Sequence, residues 1–564
     1  MTTALSGLGL MLGMAPGRAV AQTVPPTLDP NRADENLAPP PEVPTARAPL
    51  IGAAPEQTAP ENAASLRFTL RELRVEGASA IPTGTLLKAW KHRPGDEISV
   101  ADVFAFANAI TRIYGRAGYA LSFGVVPQQQ IDSGVVTVKV VEGFVDKIAF
   151  TGAPLPRGVL GGAGPVAELA EKIRASRPLR TADLERYLLL INDLPGVSAR
   201  VTLSPSPTTV GGSVMTIDVT RSRTAAEYGY NSYLPASLDT HVVGGWADVN
   251  GLVSGGDRLR LGAFRSIGQG AYWNVSGDYQ SVVGTEGLTL GVSLGYSATR
   301  PNTPLLRLLD YRGSVFSERV FARYPVLRSR GENLAVEAGG SIVETRSTLL
   351  GQRELDDRIR STQMALVYDV TDATRAVTQM RVGVEQGINA LGARGNSRAD
   401  GRPDYTLVTL DTQRLQPLGQ LGGGQASILL AAQGQMASRP LLSSAECSYG
   451  GRRFGRRFDA GELTGEHCVL ASVEARWTMP FVFDQRGASA QFYYFADGGR
   501  VWQQGALLRG ELRTRSAMSF GCGLRADRLG HISAGIEASG VLRQATGASG
   551  PRDRRIVGNI NFRF

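Results

Sequence analysis

From residue 223 to Phe564 the chain is written in a two-residue period. Leu288, Leu290, Val292, Leu294 and Tyr296 alternate with Thr289, Gly291, Ser293, Gly295 and Ser297. Leu334, Val336 and Ala338 alternate with Ala335, Glu337 and Gly339, and Met364, Leu366, Tyr368 and Val370 with Gln363, Ala365, Val367 and Asp369. Val469, Ala471, Val473, Ala475 and Trp477 alternate with Leu470, Ser472, Glu474, Arg476 and Thr478. Successive side chains of a strand point to opposite faces, so each segment is a strand with one apolar and one mixed face. A soluble sandwich turns the apolar face inward, whereas a membrane barrel turns it to lipid and lines a wet lumen with small or charged residues. The length of the strands, their continuation to the last residue, and the charges Glu337, Glu474 and Arg476 on the polar face favour the barrel. In segment 556–564, apolar Ile556, Ile560, Phe562 and Phe564 alternate with Val557, Asn559, Asn561 and Arg563. An aromatic end inside a strand fits a closing strand, because closure leaves no free edge. Roughly 340 residues at about ten per strand allow about sixteen antiparallel strands.

No run of eighteen apolar residues occurs beyond the start of the chain, which excludes transmembrane helices but not a barrel. The net charge of +9 could suit nucleic acid or an anionic surface. Neither zinc-finger spacing nor an aromatic RNA-binding signature nor a basic helix is present, so no nucleic-acid partner is expected. The three cysteines, Cys447, Cys468 and Cys522, form no CxxC pair, and the four histidines are scattered. His467, Cys468 and Cys447 offer a thin zinc reading; a Cys447–Cys468 disulfide is the better one in an oxidising compartment, with free thiols a third. No metal and no cofactor is expected. Glu466-His467-Cys468 is no recognised nucleophile arrangement and the carboxylates are unpaired, so the chain does not read as an enzyme.

Residues 1–21 read as a signal peptide: Ala4 to Ala15 is apolar and Ala19-Val20-Ala21 precedes Gln22 as a small-residue cleavage site. The positive charges usual ahead of such a stretch are missing, so a start further upstream is the expectation. Residues 22–65 read as a linker, since Pro25, Pro26, Pro30, Pro39, Pro40, Pro41, Pro44 and Pro49 disfavour helix and strand ladder alike. Two small α+β modules follow, over 66–143 and 144–222. In the first, Phe68 to Gly77 is a strand, Ser99 and Asp102 form a capping box, and Val103, Ala107, Ile110 and Tyr114 share a helix face. Val136, Val138 and Val140 alternate in its last strand. The second repeats the plan: Ile148 to Gly152 echoes Leu73 to Gly77, Thr181 is placed to cap a helix bearing Leu184, Leu188 and Ile191, and Met215, Ile217 and Val219 close it.

Over residues 66 to 564 this text resembles the two-partner secretion transporters, the TpsB class or ShlB/FhaC/HecB haemolysin secretion/activation family of the POTRA-barrel superfamily. Gly118-Tyr119, Val126-Pro127-Gln128-Gln129, Gly134 and Val141-Glu142-Gly143 look like the family's first POTRA domain, and Asn192 to Val197 (NDLPGV) like the second. Gly450 to Asp459 (GGRRFGRRFD) resembles the tip of the sixth extracellular loop, with Arg456 at the arginine position and Phe458 at the aromatic. Arg457 stands where the family usually has Gly, and Gly455 where it often has Val. Phe495-Ala496-Asp497-Gly498-Gly499 matches the Phe-x-Asp-x-Gly strand motif, through Phe495, Asp497 and Gly499, whose Asp receives the loop arginine. Parity independently puts Asp497 with Ser489, Gln491 and Tyr493 on the lumen face. The resemblance implies a loop-six lock between Arg456 and Asp497. It also implies secretion of an unfolded exoprotein, bearing an N-terminal secretion domain, without ATP. Such relatives often carry an N-terminal plug helix, which the proline-rich stretch here argues against. Outer-membrane lipid surrounds the barrel, periplasmic chaperones are compatible partners, and a monomer is expected. The rival readings are a barrel-assembly factor, which would usually carry more modules, and a diffusion porin, which would need none.

Overall fold

The computed structural model describes residues 26–37, 56–131, 133–155, 164–269, 271–483, 486–507, 510–528, 530–544 and 554–564. Residues 1–21, expected to be a signal peptide, and residues 22–25 and 38–55 of the expected linker lie outside the described residues.

The first module has a sheet ordered Glu72–Glu76, Val135–Val141, Phe123–Val125, backed by helix Val100–Arg116. Ser99 caps that helix through the expected box with Asp102, so the turn preceding it is fixed by two reciprocal bonds. Val103, Ala107, Ile110 and Tyr114 are buried against Val136, Val138 and Val140. The second module sets Gly212–Arg221 between Phe144–Gly152 and Val197–Pro205, with helices Pro165–Ala175 and Thr181–Asp193 on top. Leu184, Leu188 and Ile191 pack on Met215, Ile217 and Val219. One detail differs from expectation: Thr181 is the first helical residue rather than the cap, and Arg180 before it makes no side-chain cap bond.

Sixteen antiparallel strands among the described residues close the barrel. They are β1 Thr224–Asn231, β2 Val242–Asn250, β3 Asp257–Ser266, β4 Ala271–Val283, β5 Leu288–Arg300, β6 Arg312–Arg328, β7 Glu332–Leu349 and β8 Gln352–Thr371. The circuit continues with β9 Val377–Gly387, β10 Thr406–Leu421, β11 Gly424–Ala437, β12 His467–Phe483, β13 Arg486–Trp502, β14 Thr514–Arg528, β15 Ile532–Arg543 and β16 Arg555–Arg563. β16 closes onto β1, pairing Phe562 with Tyr228 and Ile560 with Tyr230. The apolar parity turns outward: Leu294, Met364, Val473, Tyr494 and Ile536 are exposed, Tyr494 at 70%. The other parity turns inward, where Glu474 and Asp497 are buried. Since β1 leaves the modules, the connections after odd-numbered strands lie at the far end, and the one between β11 and β12 is the sixth.

The linker reading needs correction. Residues Pro30–Leu37 form a helix, preceded by a short turn at Pro26–Leu28. The prolines do not forbid it, because Pro30 is the first helical residue, where a missing N–H is no loss. Asp29 ahead of it takes the Asn31 N–H at 2.9 Å. The helix lies inside the barrel. Asp34 accepts bonds from the lumen-facing hydroxyls of Tyr272 on β4 and Ser297 on β5. Thr299 donates to the Leu28 carbonyl at 3.1 Å. Leu28 and Ala33 are buried with Leu234, Leu238, Val242, Tyr272 and Tyr311. The plug that the prolines argue against is therefore present as eight helical residues.

Candidate functional site

The sixth connection, residues 438–466, folds back into the lumen instead of standing in solvent. A small hairpin, Cys447–Tyr449 against Leu463–Gly465, carries the arginine-rich tip between its arms. Cys447 is disulfide-bonded to Cys468, the second residue of β12, so the tip belongs to a covalently closed ring rooted on the wall. With both sulfurs bonded, the zinc reading loses two of its three ligands, and His467 instead stacks on Trp502 at 5.5 Å between centroids. Cys522 is free and exposed.

At the tip, Arg456 is 8% exposed. Its Nε and Nη2 donate to Asp497 Oδ2 and Oδ1 at 3.2 and 3.1 Å, and its backbone N–H adds a third bond to Oδ2 at 3.1 Å. Asp497 also accepts from Ser472 Oγ at 2.7 Å. Opposite β13, register places Ser472 of β12 directly against Asp497, so strand pairing presets the receptor before the loop arrives. Nη1 of Arg456 reaches Glu474 Oε2 at 2.5 Å and lies 3.5 Å from Glu537 Oε2. The guanidinium plane sits 3.6 Å from the centroid of the Phe495 ring. One arginine thus meets three carboxylates and an aromatic face, a set that a point-like ammonium could not satisfy.

The glycines have steric reasons. A Cβ on Gly499 would stand 2.3 Å from Cδ2 of Tyr449, and one on Gly455 2.7 Å from the same ring. Tyr449 is fully buried between the tip and β13, and its hydroxyl donates to the Asp497 carbonyl at 3.4 Å. Gly455 also has φ of 78°, so the motif's frequent Val could not replace it in this backbone. Arg457, standing at a usual glycine position, is not at positive φ; the left-handed turns fall on Gly450, Gly451, Gly455 and Gly461. Phe458 is buried 5.8 Å from Tyr449 by ring centroids, and its carbonyl accepts from Arg555 of β16 at 3.0 Å.

The structure brings together Arg456, Gly455, Phe458, Phe495, Asp497 and Gly499, each singled out in the sequence. It adds Ser472, Glu474, Glu537 and Tyr449. Parity shows that Glu474 faces the lumen, but only strand register shows that it reaches the same arginine.

Comparison with known proteins follows from this geometry. A family model described as POTRA domain, ShlB-type, matches residues 68–143, and one described as haemolysin secretion/activation protein ShlB/FhaC/HecB matches residues 211–526. The heme/hemopexin transporter protein HuxB of Haemophilus influenzae is 21% identical over 503 residues, covering 85% of this chain and 84% of HuxB. The outer membrane transporter CdiB of Escherichia coli is 26% identical over 237 residues, covering 41% of this chain and 37% of CdiB. Among solved structures, CdiB from Escherichia coli superposes with a TM-score of 0.72 at 18% identity, covering 91% of this chain and 94% of that one. CdiB from Acinetobacter baumannii gives 0.63 at 18% identity, covering 94% and 96%. The chain therefore belongs to the haemolysin secretion/activation family ShlB/FhaC/HecB, the outer-membrane β-barrel transporters of two-partner secretion that carry POTRA modules in the periplasm.

Proposed function

We propose that this transporter captures an unfolded exoprotein in the periplasm through its two modules and passes it through the lumen without ATP. The observation that carries the reading is what fills the lumen. Loop six and the amino-terminal helix occupy it, and polar and ionic contacts hold much of both: Arg456 to three carboxylates, and Asp34 to two hydroxyls. Released into water, such groups exchange these bonds for bonds to water or to a passing chain, an exchange that a fully apolar core could not make. A diffusion porin has no need of two displaceable plugs. The modules offer sheet edges at Glu72–Glu76 and Val197–Pro205, which suit capture of an extended segment by strand addition with little side-chain specificity. No phosphate-binding loop occurs in the sequence, so folding outside the membrane is the proposed energy source. Membership of the family supports a secreted exoprotein as the cargo, kept unfolded in the periplasm with chaperones as compatible escorts. One chain closes its own barrel, so a monomer suffices.

The test is quantitative mass spectrometry of culture medium and outer membrane with and without this protein. Loss of one or two large proteins from the medium, with an unchanged membrane inventory, supports dedicated export and names the cargo. A general fall of other barrels in the membrane would sink the export reading in favour of an assembly factor.

A further inference from the structure

A second buried ion cluster lies outside the lock, at the far rim of the barrel. Arg398, in the connection between β9 and β10, is 3% exposed at its side chain, Glu446 at the root of loop six 2%, and Glu511 in the connection between β13 and β14 8%. Arg398 Nε donates to Glu446 Oε1 at 2.7 Å, while Nη1 and Nη2 donate to Glu511 at 2.6 and 3.0 Å. Gln503 Nε2 bridges both acids at 3.2 Å each. One guanidinium therefore ties together two buried carboxylates drawn from two other loops, and Arg515 stands 3.5 Å from Glu511 as a second cation.

The backbone of Glu446 has a separate partner. Arg32 of the amino-terminal helix, 4% exposed, points Nη2 at the Glu446 carbonyl, 2.6 Å away, and at the Ser443 carbonyl, 3.3 Å away. Further along, Ser448 Oγ donates to Glu35 at 3.2 Å and Arg452 Nη1 to the Leu37 carbonyl at 3.4 Å. Glu446 is thus shared: its carboxylate is held by the rim loops and its carbonyl holds the plug.

We propose that Glu446 is a latch coupling the amino-terminal helix to the rim loops, with Arg398 and Arg32 as positioning residues on its two sides. This rests on the reading that the lumen opens when helix and loop six move. Losing Arg398 takes from the buried Glu446 carboxylate the guanidinium that ties it to the rim loops, and Glu446 turns out to water, taking with it the carbonyl that Arg32 grips. Arg456 shares no partner with Glu446, Arg398 or Arg32, so the latch and the loop-tip lock are distinct sets of contacts.

The experiment is resting ion conductance of the full chain in planar lipid bilayers, for Arg398→Met, Arg32→Gln and the double variant. Glu446→Gln, which keeps the carbonyl and the shape, is carried alongside as the variant least prone to misfold. Folding is certified by heat-modifiable gel mobility and an unreactive Cys447–Cys468 pair. The expected result is a severalfold rise in resting conductance for each single variant, with the double no higher than the larger single. Conductance equal to the unaltered protein in Arg398→Met and Glu446→Gln overturns the latch. A rise in the double equal to the product of the singles overturns the coupling, because the two arginines would then act independently. Secretion of the exoprotein is scored on the unaltered chain: if none leaves the cell, the transport reading fails, whatever the conductances show.

Discussion

At the residue scale, Arg456 holds its place by geometry more than by charge. Its fork spans both oxygens of Asp497, reaches Glu474 and lies flat on Phe495. Lysine keeps the charge and loses the fork and the stacking. Arg456→Lys is therefore expected to behave nearly as poorly as Arg456→Ala, lowering exoprotein in the medium while the barrel remains at normal level in the membrane. Equal secretion by Arg456→Lys and the unaltered chain would show that charge alone suffices. Removing one partner of a buried pair typically costs about 3–5 kcal/mol, so Arg456→Ala should also expose the loop to protease in intact cells. Gly499→Ala tests the same site from the wall: its methyl would stand 2.3 Å from the Tyr449 ring, and the tip must lift. Asp497 and Arg456 were legible in the sequence because parity and the loop motif each name one of them. Glu537 and Tyr449 were not, since their place depends on the loop's path across strands remote in sequence.

Elements show why some family text is legible as words and only later as physics. The triplet Val141-Glu142-Gly143 ends the last strand of the first module. Glu142 takes the Ser79 and Ala80 N–H groups at 2.8 and 2.7 Å and the Tyr114 hydroxyl at 2.7 Å. A Cβ on Gly143 would stand 2.4 Å from the Leu121 carbonyl oxygen, so the chain crosses to the second module under close contact. Partial burial pushes the Glu142 carboxyl up, but the hydrogen bonds from Ala80, Ser79 and Tyr114 outweigh it and hold it below the usual range. A folded pKa below the unfolded value gives stability present above about 4.3 and lost as pH falls toward the folded value. Because the group is largely solvated, the effect is modest, under about 1 kcal/mol. Hydrogen exchange at residues 79–80, corrected for intrinsic rate, is expected to lose protection in acid, and Glu142→Gln to flatten that dependence. A slope unchanged by the substitution would assign it to another group. The amino-terminal helix illustrates the opposite limit: the residues of Pro30–Leu37 show little of their own fold, because the partners that hold them, Tyr272, Ser297 and Glu446, are supplied by the barrel and its sixth loop. The same scale sets the disulfide's role. Cys447–Cys468 spans 21 positions, and closing a loop of that order stabilises by about 3 kcal/mol. Cys447→Ser with Cys468→Ser should leave the barrel closed yet speed proteolytic nicking within 448–467.

For the whole molecule, the question is how the arm is aimed at the pore. The second module does not hang from β1 alone. Its helix Thr181–Asp193 lies against the near rim: Arg328 at the end of β6 grips Asp193 at 2.6 and 2.7 Å, and Glu185 takes the Arg330 N–H at 2.9 Å. In the turn between β4 and β5, Glu286 receives Lys172 and Tyr187 at 3.2 Å each and Arg186 at 3.4 Å. Leu190 packs at Gly287 of the same turn, where a Cβ would stand 2.6 Å from its Cδ2. Exposed pairs contribute about 0.2–1 kcal/mol each and are screened over about 8 Å at physiological salt, so the dock is a set of weak contacts acting together. That combination predicts an arm held at one angle in low salt and released by modest changes. Arg328→Asp should widen the distribution of distances between spin labels on the second module and on the rim turn at residues 329–331, measured by pulsed electron resonance. The swap Asp193→Arg with Arg328→Asp should narrow it again, since the pair is remade with its signs exchanged. If both variants give the narrow distribution of the unaltered chain, the ion pair does not aim the arm, and the apolar contact of Leu190 with the β4–β5 turn must do so. If Arg328→Asp broadens it and the swap does not restore it, the arginine acts through its bond to Asn333, 2.8 Å away on β7, rather than through the helix.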